Sequence, residues 1–503
     1  MGDMAILAEN LTYTEKDFDA LKLRMQELLR GAFPWWTDFN VANFGNLLVE
    51  MFCFVGDVLT FYQDAQAKES RILASTQRKN LLALCRMLGY TPATAAAATA
   101  NETFSIPAVL ANDVIVPSGA YVSTADVVGA VRFQLLAPAT ITAGLTSVDG
   151  TVEHSESWLE TFTSTGRPNQ EHALPRMPYI DGSADIAAGD GAYTQVVNFL
   201  DSGPTDRHYT ITVDQTGKAL VRFGNGVNGS VPSGTVSGVY KVGGGTVGNV
   251  AAGTLIKLTG GFTDVLGNPV SVSATNALPA SGGANRETMA QIKQLAPASV
   301  RVAGRSVCTE DYEINARRVP GVARALMVTS DDVLGIDENT GRLYIIPVGG
   351  GVPTGTLKTA VHTMVTETYP KTITFQVSEY DPIYFDVNVH AIVFLRQGYA
   401  AAAVRASIEA ALAVFFAVSQ GDGTPNPNVD WGVRMVKADG TPANEIAWSD
   451  VFNEVRDAGG VRKIEQPLGF LLNDAATDVA IGSLQFPRLG TVELINGDTG
   501  LPL

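Results

Sequence analysis

The sequence predicts an α+β multidomain protein: an N-terminal helical bundle segment, a central mainly antiparallel β domain, and C-terminal α+β domains. Three observations predict it. Apolar residues recur at helical spacing up to Tyr90, and from Thr103 they fall in short runs broken by Pro, Gly, Asn and Asp. From Asn285, helical and strand patterns alternate. The 503 residues suffice for roughly three or four domains, and the pattern changes divide them at 1–100, 101–285, 286–420 and 421–503.

The first helix is expected over Thr14–Arg30, with Thr14 and Asp17 as a capping pair and Gly31 as its stop. Pro34-Trp35-Trp36 then forms a short connector whose two large aromatics either anchor a partner or cover the helix ends. The second helix, 44–69, carries Phe44, Leu47, Leu48, Met51, Phe52, Val55, Val58, Leu59 and Tyr62 at helical spacing. Cys53, Phe54 and Phe61 widen that surface well beyond one stripe. Such a helix needs neighbours on more than one side, supplied either by its own domain or by partner chains. A third helix, Thr76–Leu88, ends at Gly89 with Pro92 beyond. TPATAAAATA (91–100) reads as an exposed, irregular hinge of small residues.

In the β region Val116-Pro117-Ser118-Gly119 returns as Val231-Pro232-Ser233-Gly234, and each Pro-Ser-Gly predicts a tight turn with glycine at positive φ. Helical signals resume with Asn285 as an N-cap and Pro297 as a stop, and Gly282-Gly283 before them is a second hinge candidate. A short helix is expected over Thr309–Val319. Strands are then expected at 322–330, 342–348, 372–378 and 383–396, with helices at 355–368 and 400–418, the helices on one side of an antiparallel sheet. The tail shows turns at Pro425–Pro427 and Asp439–Pro442, a helix near Ser449–Asp457 and a strand Val461–Gln466. A strand-like end to Leu503 has no readable partner.

A net charge of −16 argues against a role in gripping nucleic acid or an anionic membrane. The acidity is spread, with 11 acidic and 9 basic residues in 1–100, 15 and 8 in 101–285, and 25 and 18 beyond. Cys53, Cys85 and Cys308 suit reduced, buried thiols, and no signal peptide is visible. The second helix is long enough to span a bilayer, but Glu50 and Asp57 in its middle favour burial in protein over membrane insertion.

Two G-x-G-x-x-G strings occur, at Gly224, Gly226 and Gly229 and at Gly243, Gly245 and Gly248. A dinucleotide site needs that loop to open a helix. Here Ser230-Val231-Pro232 and Asn249-Val250-Ala251 continue as turn and strand, so the glycines are assigned to turns and bulges. The five histidines, His154, His172, His208, His362 and His390, have no metal spacing. The carboxylates at 331–338 do not fit a calcium loop. No cofactor, metal or catalytic residue is expected.

RFGNGVNGSVPSGT (222–235), followed by YKVGGGTVGNVAAGT (240–254), resembles the central signature of the baseplate J-like family, wedge subunits of contractile phage tails and related injection machines. Three more stretches are similar in order: WTDFNVANFGNLLVEMFCFVGDVL near the N-terminus, residues 284–325, and YFDVNVHAIVFLRQGYAAAAVRASIEAALAVFF (384–416). The resemblance implies a structural, non-enzymatic protein of the tail baseplate, assembled in the bacterial cytoplasm. Its implied partners are other copies of itself, a second wedge subunit bundling with the N-terminal helices, neighbouring wedges, and the hub and sheath-initiating proteins. It favours burial of helix 44–69 by partner chains, with Trp35, Trp36, Phe44, Leu47, Leu48, Met51, Phe52, Val55, Leu59 and Tyr62 as the interface and Pro92, Gly282 and Gly283 as hinges. A β-rich receptor-binding or adhesin subunit and a tail-associated cell-wall hydrolase are the alternatives.

Overall fold

The computed structural model describes residues 17–40, 42–125, 129–435, 443–465 and 468–503. Thr14, the turn at 439–442 and Gln466 lie outside them. The chain divides into two compact units: residues up to Pro92 with Ile292–Pro297, and the remainder, 93–291 with 298–503.

The first unit holds helices α1 (Phe18–Ala32), α2 (Phe44–Glu69) and α3 (Arg78–Met87). Asp17 caps α1, its side chain accepting from Ala20 N. Gly31 does not stop α1, which runs one residue past it to a cap at Phe33; one glycine costs a helix only about 1 kcal/mol. Lys22 of α1 pairs with Glu50 of α2 at 2.7 Å. Gly56 lets the two helices close, since a Cβ there would sit 3.0 Å from Leu21 Cδ1. The α2–α3 corner is built on Glu69, whose carboxylate accepts from Thr76 N and Oγ1, Ser75 Oγ, Gln77 N and Asn80 Nδ2. It satisfies the open N–H groups ahead of α3, whose cap residue Gln77 offers no side-chain bond. Gly89 at φ +73° follows α3 as expected.

The second unit begins with two β sheets. The first runs Leu255–Thr259, Tyr121–Thr124, Arg132–Leu135, Ser147–Glu153, Thr99–Ser105, Ser273–Asn276, every neighbour antiparallel. Phe104, Val122, Phe133, Val152 and Leu255 fill one side of it. The second sheet has seven strands from Ser155–Thr163 to Glu171–Ala173, around Tyr179, Tyr209, Phe223 and Tyr240. Its two edge strands meet where Phe162 stacks on His172 at 3.7 Å. Gly119 and Gly234 take φ +80° and +71°, as the repeated Pro-Ser-Gly turn requires.

Residues 91–100 are not an exposed, irregular hinge. Ala95 bridges Ile180, Ala96 bridges Ala284, and Thr99 opens a strand; Ala95, Ala98 and Ala100 are buried. The alanines are small because backbones meet there: a Cβ on Gly244 would lie 2.6 Å from Ala96 O. Gly282 and Gly283 are likewise buried in a backbone crossing. A Cβ on Gly283 would meet Gly245 O at 2.6 Å, and one on Gly321 would meet Gly282 O at 2.5 Å. Asn249 ties the crossing together, donating to Gly283 O and Val348 O and accepting from Gly283 N.

Helix α4 (Met289–Val302) is capped by Thr288, in a capping box with Gln291, and not by Asn285. Asn285 instead accepts from Thr246 N at 3.3 Å. Pro297 does not end α4, which runs on to Ala303 in the left-handed region. Burial of Ile292, Leu295, Ala296 and Val302 offsets the lost hydrogen bond. Helix α5 (Thr309–Arg317) follows, and Cys308 before it is exposed rather than buried.

The remaining described strands form two mixed sheets and one short antiparallel pair, Glu445–Ile446 with Val479–Ala480, not one antiparallel sheet. Val322–Thr329 and Thr340–Pro347 are antiparallel, but Gln376–Tyr380 joins parallel. The chain returns to the same end through helix α6 (Gly355–Thr363) and a π turn at Met364–Thr368, a connection that permits parallel pairing. Ile383–Leu395 centres the other sheet, with Val461–Ile464 and Phe470–Leu472 antiparallel and Gln485–Asn496 parallel. Helices α7 (Ala401–Phe415) and α8 (Trp448–Asp457) cover this sheet through Val404, Ile408, Leu412, Val451 and Val455. This sheet and its core straddle residue 420.

Candidate assembly interface

Helix α2 has the boundaries its sequence period gives, but its packing is inverted. The buried residues are Asn46, Val49 and Cys53, with the small or polar Gly56, Asp57 and Thr60 half-buried beside them. Outward point Phe44, Leu47, Leu48, Met51, Phe52, Phe54, Val55, Val58, Leu59, Phe61 and Tyr62, eleven large apolar side chains. Successive helical residues turn by about 100°, so these eleven sweep about half the circumference. Glu50 and Asp57, the acidic residues of this stretch, lie outside that arc, and Glu50 is neutralised by Lys22.

Phe52 is 68% exposed and Leu48 40%, and so many adjacent large apolar side chains make one contiguous exposed patch rather than single scattered residues. One neighbouring helix covers a stripe of roughly 100°. The arc is about twice that width, enough for two. Helix α2 is also long and apolar enough, by length and composition, to cross a membrane. Its two central carboxylates favour a protein neighbour over hydrocarbon.

All nine α2 positions read at helical spacing fall on the arc, and Phe54 and Phe61 widen it. Cys53, read as part of the same apolar surface, faces inward instead. The two tryptophans separate. Trp35 is 79% exposed, whereas Trp36 stacks on Phe39 and donates from Nε1 to Asp38 O. Its ring also lies over Gly45, where no Cβ would fit. Trp36 covers the start of α2, and Trp35 is the one free to meet a partner.

Other polar constellations resolve into local structure. The first glycine string is a turn in which Gly224 packs on Gly229, with Gly226 and Gly229 at φ +84° and +82°. The second leads only to a three-residue 3-10 turn, Thr246–Gly248. Ser202 Oγ lies 2.8 Å from His208 Nδ1, but Ser202 is buried and the contact ties one loop. His390 sits on the outer side of its strand beside Glu493. A cavity of about 640 Å³ is lined by Arg324, Asn426, Asp430, Arg434, Glu445 and Asp478 among others. Arg324 is held there by Asp430 and three carbonyls, and Arg434 by Glu313. Among the described residues no three His, Cys, Asp or Glu side chains are grouped to hold a metal.

Residues 17–87 match the family profile described as bacteriophage baseplate protein, N-terminal domain. That span contains helices α1, α2 and α3. The whole chain is also similar to a chain of the anti-feeding prophage baseplate, a six-fold symmetrised cryo-EM structure. The similarity covers 96% of each chain at 12% identity and a TM-score of 0.34, too weak to bear on fold or role. No curated protein sequence matches the chain.

Proposed function

We propose that the chain is a structural, non-enzymatic wedge subunit of a contractile-tail baseplate, of the baseplate J-like kind, assembled in the host cytoplasm and resident in the virion tail. The observation that carries the reading is the uncharged apolar arc of α2, set within the stretch that matches a baseplate N-terminal domain. Obligate subunit interfaces resemble a protein core cut open, and this arc has that composition. Its occupants are apolar-faced helices of other baseplate chains: further copies of this one and a second wedge subunit. The acidic second unit then contacts neighbouring wedges, hub and sheath-initiating proteins, and passes on the movement that triggers contraction. Pro92, where the chain first passes from the first unit to the second, is the first place for such movement. Gly282-Gly283 serves it by repacking its crossing.

Leu48→Asp and Phe52→Asp test the reading. Both side chains are exposed in the single chain, so the variants should express and fold like the parent. They should be absent from purified tail particles. Incorporation at parental stoichiometry would sink the proposal. The receptor-binding alternative calls for a terminal fibre-like β region and gives no role to the α2 arc, and a hydrolase would clear a cell-wall zymogram.

A further inference from the structure

Helices α1 and α2 have little holding them to a folded chain. No residue of α1 is buried, and three of 26 are buried in α2, one of them the polar Asn46. The Asn46 Oδ1 atom is enclosed without a hydrogen-bond partner. The buried apolar side chains of the first unit lie mostly elsewhere: Ala74, Leu81, Cys85 and Tyr90 around α3, with Ile292, Leu295 and Ala296 of α4. Between α1 and α2 the apolar side chains Leu21, Met25 and Leu29 are only half-buried, with the Lys22–Glu50 pair, both ends partly exposed, and the Leu21–Gly56 approach beside them.

An exposed ion pair contributes about 0–1 kcal/mol, and in proteins most helical stability comes from tertiary packing of an apolar face rather than from intrinsic propensity. Ordering a residue costs about 1–2 kcal/mol of backbone entropy, which burial must offset. In the single chain the α1–α2 hairpin buries too little to do so. Its unburied apolar surface is what a partner would cover.

We propose that the α1–α2 hairpin is assembly-gated: it opens and closes freely in the single chain and becomes stably folded only when partner helices cover the α2 arc. This rests on the assembly reading above and adds its order of events. Folding of residues 18–69 is then part of association, the ordering cost falls at that moment, and the interface does not exist in finished form beforehand. The sheets of the second unit stand ready throughout.

Hydrogen–deuterium exchange on the full-length chain tests this, free at low concentration and within purified tail particles. In the free chain, amides of Phe18–Ala32 and Phe44–Glu69 should exchange within seconds, while those of Thr99–Ser105 and Ile383–Leu395 stay protected. In the particle the hairpin amides should slow by about 100-fold or more. Protection that grows with concentration of the free chain supports gating, with a second copy as the covering partner. Hairpin amides as slow as the sheet amides in the dilute monomer would overturn it. So would protection gained on phosphatidylglycerol vesicles but not in particles. Failure of the functional reading looks different: the Leu48→Asp chain would enter particles normally.

Discussion

Glu102 lies in an inner strand of a sheet, one in from the edge, with its side chain fully buried and neither carboxyl oxygen hydrogen-bonded within the protein. Its strand neighbours are Asn276 and Gly150, and Asn276 spends its side chain on Ala251, Leu278 and Leu255. Burial pushes the Glu102 carboxyl up to about 8 from the ordinary 4.5. In that window the folded chain binds the extra proton, so stability is full below about pH 4.5 and declines as pH rises to about 8. Glu102→Met should flatten that decline and stabilise the chain at pH 8 by about 2 kcal/mol or more, read from denaturant midpoints. His154, half-buried where the first sheet passes to the second, is pushed down by desolvation, so it weakens the fold on the acid side. At the glycine crossing, Asn249→Ala strips donors from Gly283 O and Val348 O and an acceptor from Gly283 N. It should cost about 2–3 kcal/mol, seen as a lowered thermal transition; an unchanged transition would mean water replaces the amide.

Among the elements, those set by local pattern were legible in the sequence. Helix α2 could be read residue for residue because a long apolar period fixes a helix without knowing its neighbours. The same period did not reveal that the polar and small side, Asn46 to Thr60, is the one facing its own unit. Periodicity gives a face, and only the neighbours say which face is inside. The run 91–100 misled for a related reason: small residues suit a loose linker and a tight crossing equally well, and the partners at Ile180 and Ala284 are far along the chain. Pro297 misled because tertiary burial overrode a local breaker. The α2–α3 corner was not legible at all, since no local pattern marks Glu69 as the acceptor for Ser75, Thr76, Gln77 and Asn80. Burial raises its pKa, but the hydrogen bonds from Thr76, Asn80 and Ser75 outweigh this and hold it at about 2. Its stabilising effect is present above the ordinary 4.5 and is lost as pH falls toward about 2. Glu69→Ala should therefore loosen α3 at neutral pH and remove that acid sensitivity, followed by amide exchange of Arg78–Met87.

For the whole molecule, the α+β class and the change of pattern near residue 100 were in the sequence, while the parallel pairings were not. Gln485–Asn496 pairs with Ile383–Leu395 across about a hundred residues, and no local signal encodes a partner so distant. The candidate interface was legible as a list of residues, and its exposure was not. The second unit contains its own cores in each sheet, so a chain starting at Ala93 should fold with the circular dichroism of the β and α+β parts intact. It should nevertheless fail to enter particles; entry would remove the first unit from assembly altogether.

The central claim is that other chains bury the α2 arc in the assembled particle. Met51 sits near the middle of that arc and is 59% exposed in the single chain, which makes it a direct reporter. Hydroxyl-radical footprinting read by mass spectrometry should oxidise Met51 readily in the free chain and leave it protected in intact tail particles. Met51 oxidised equally fast in both would contradict the account.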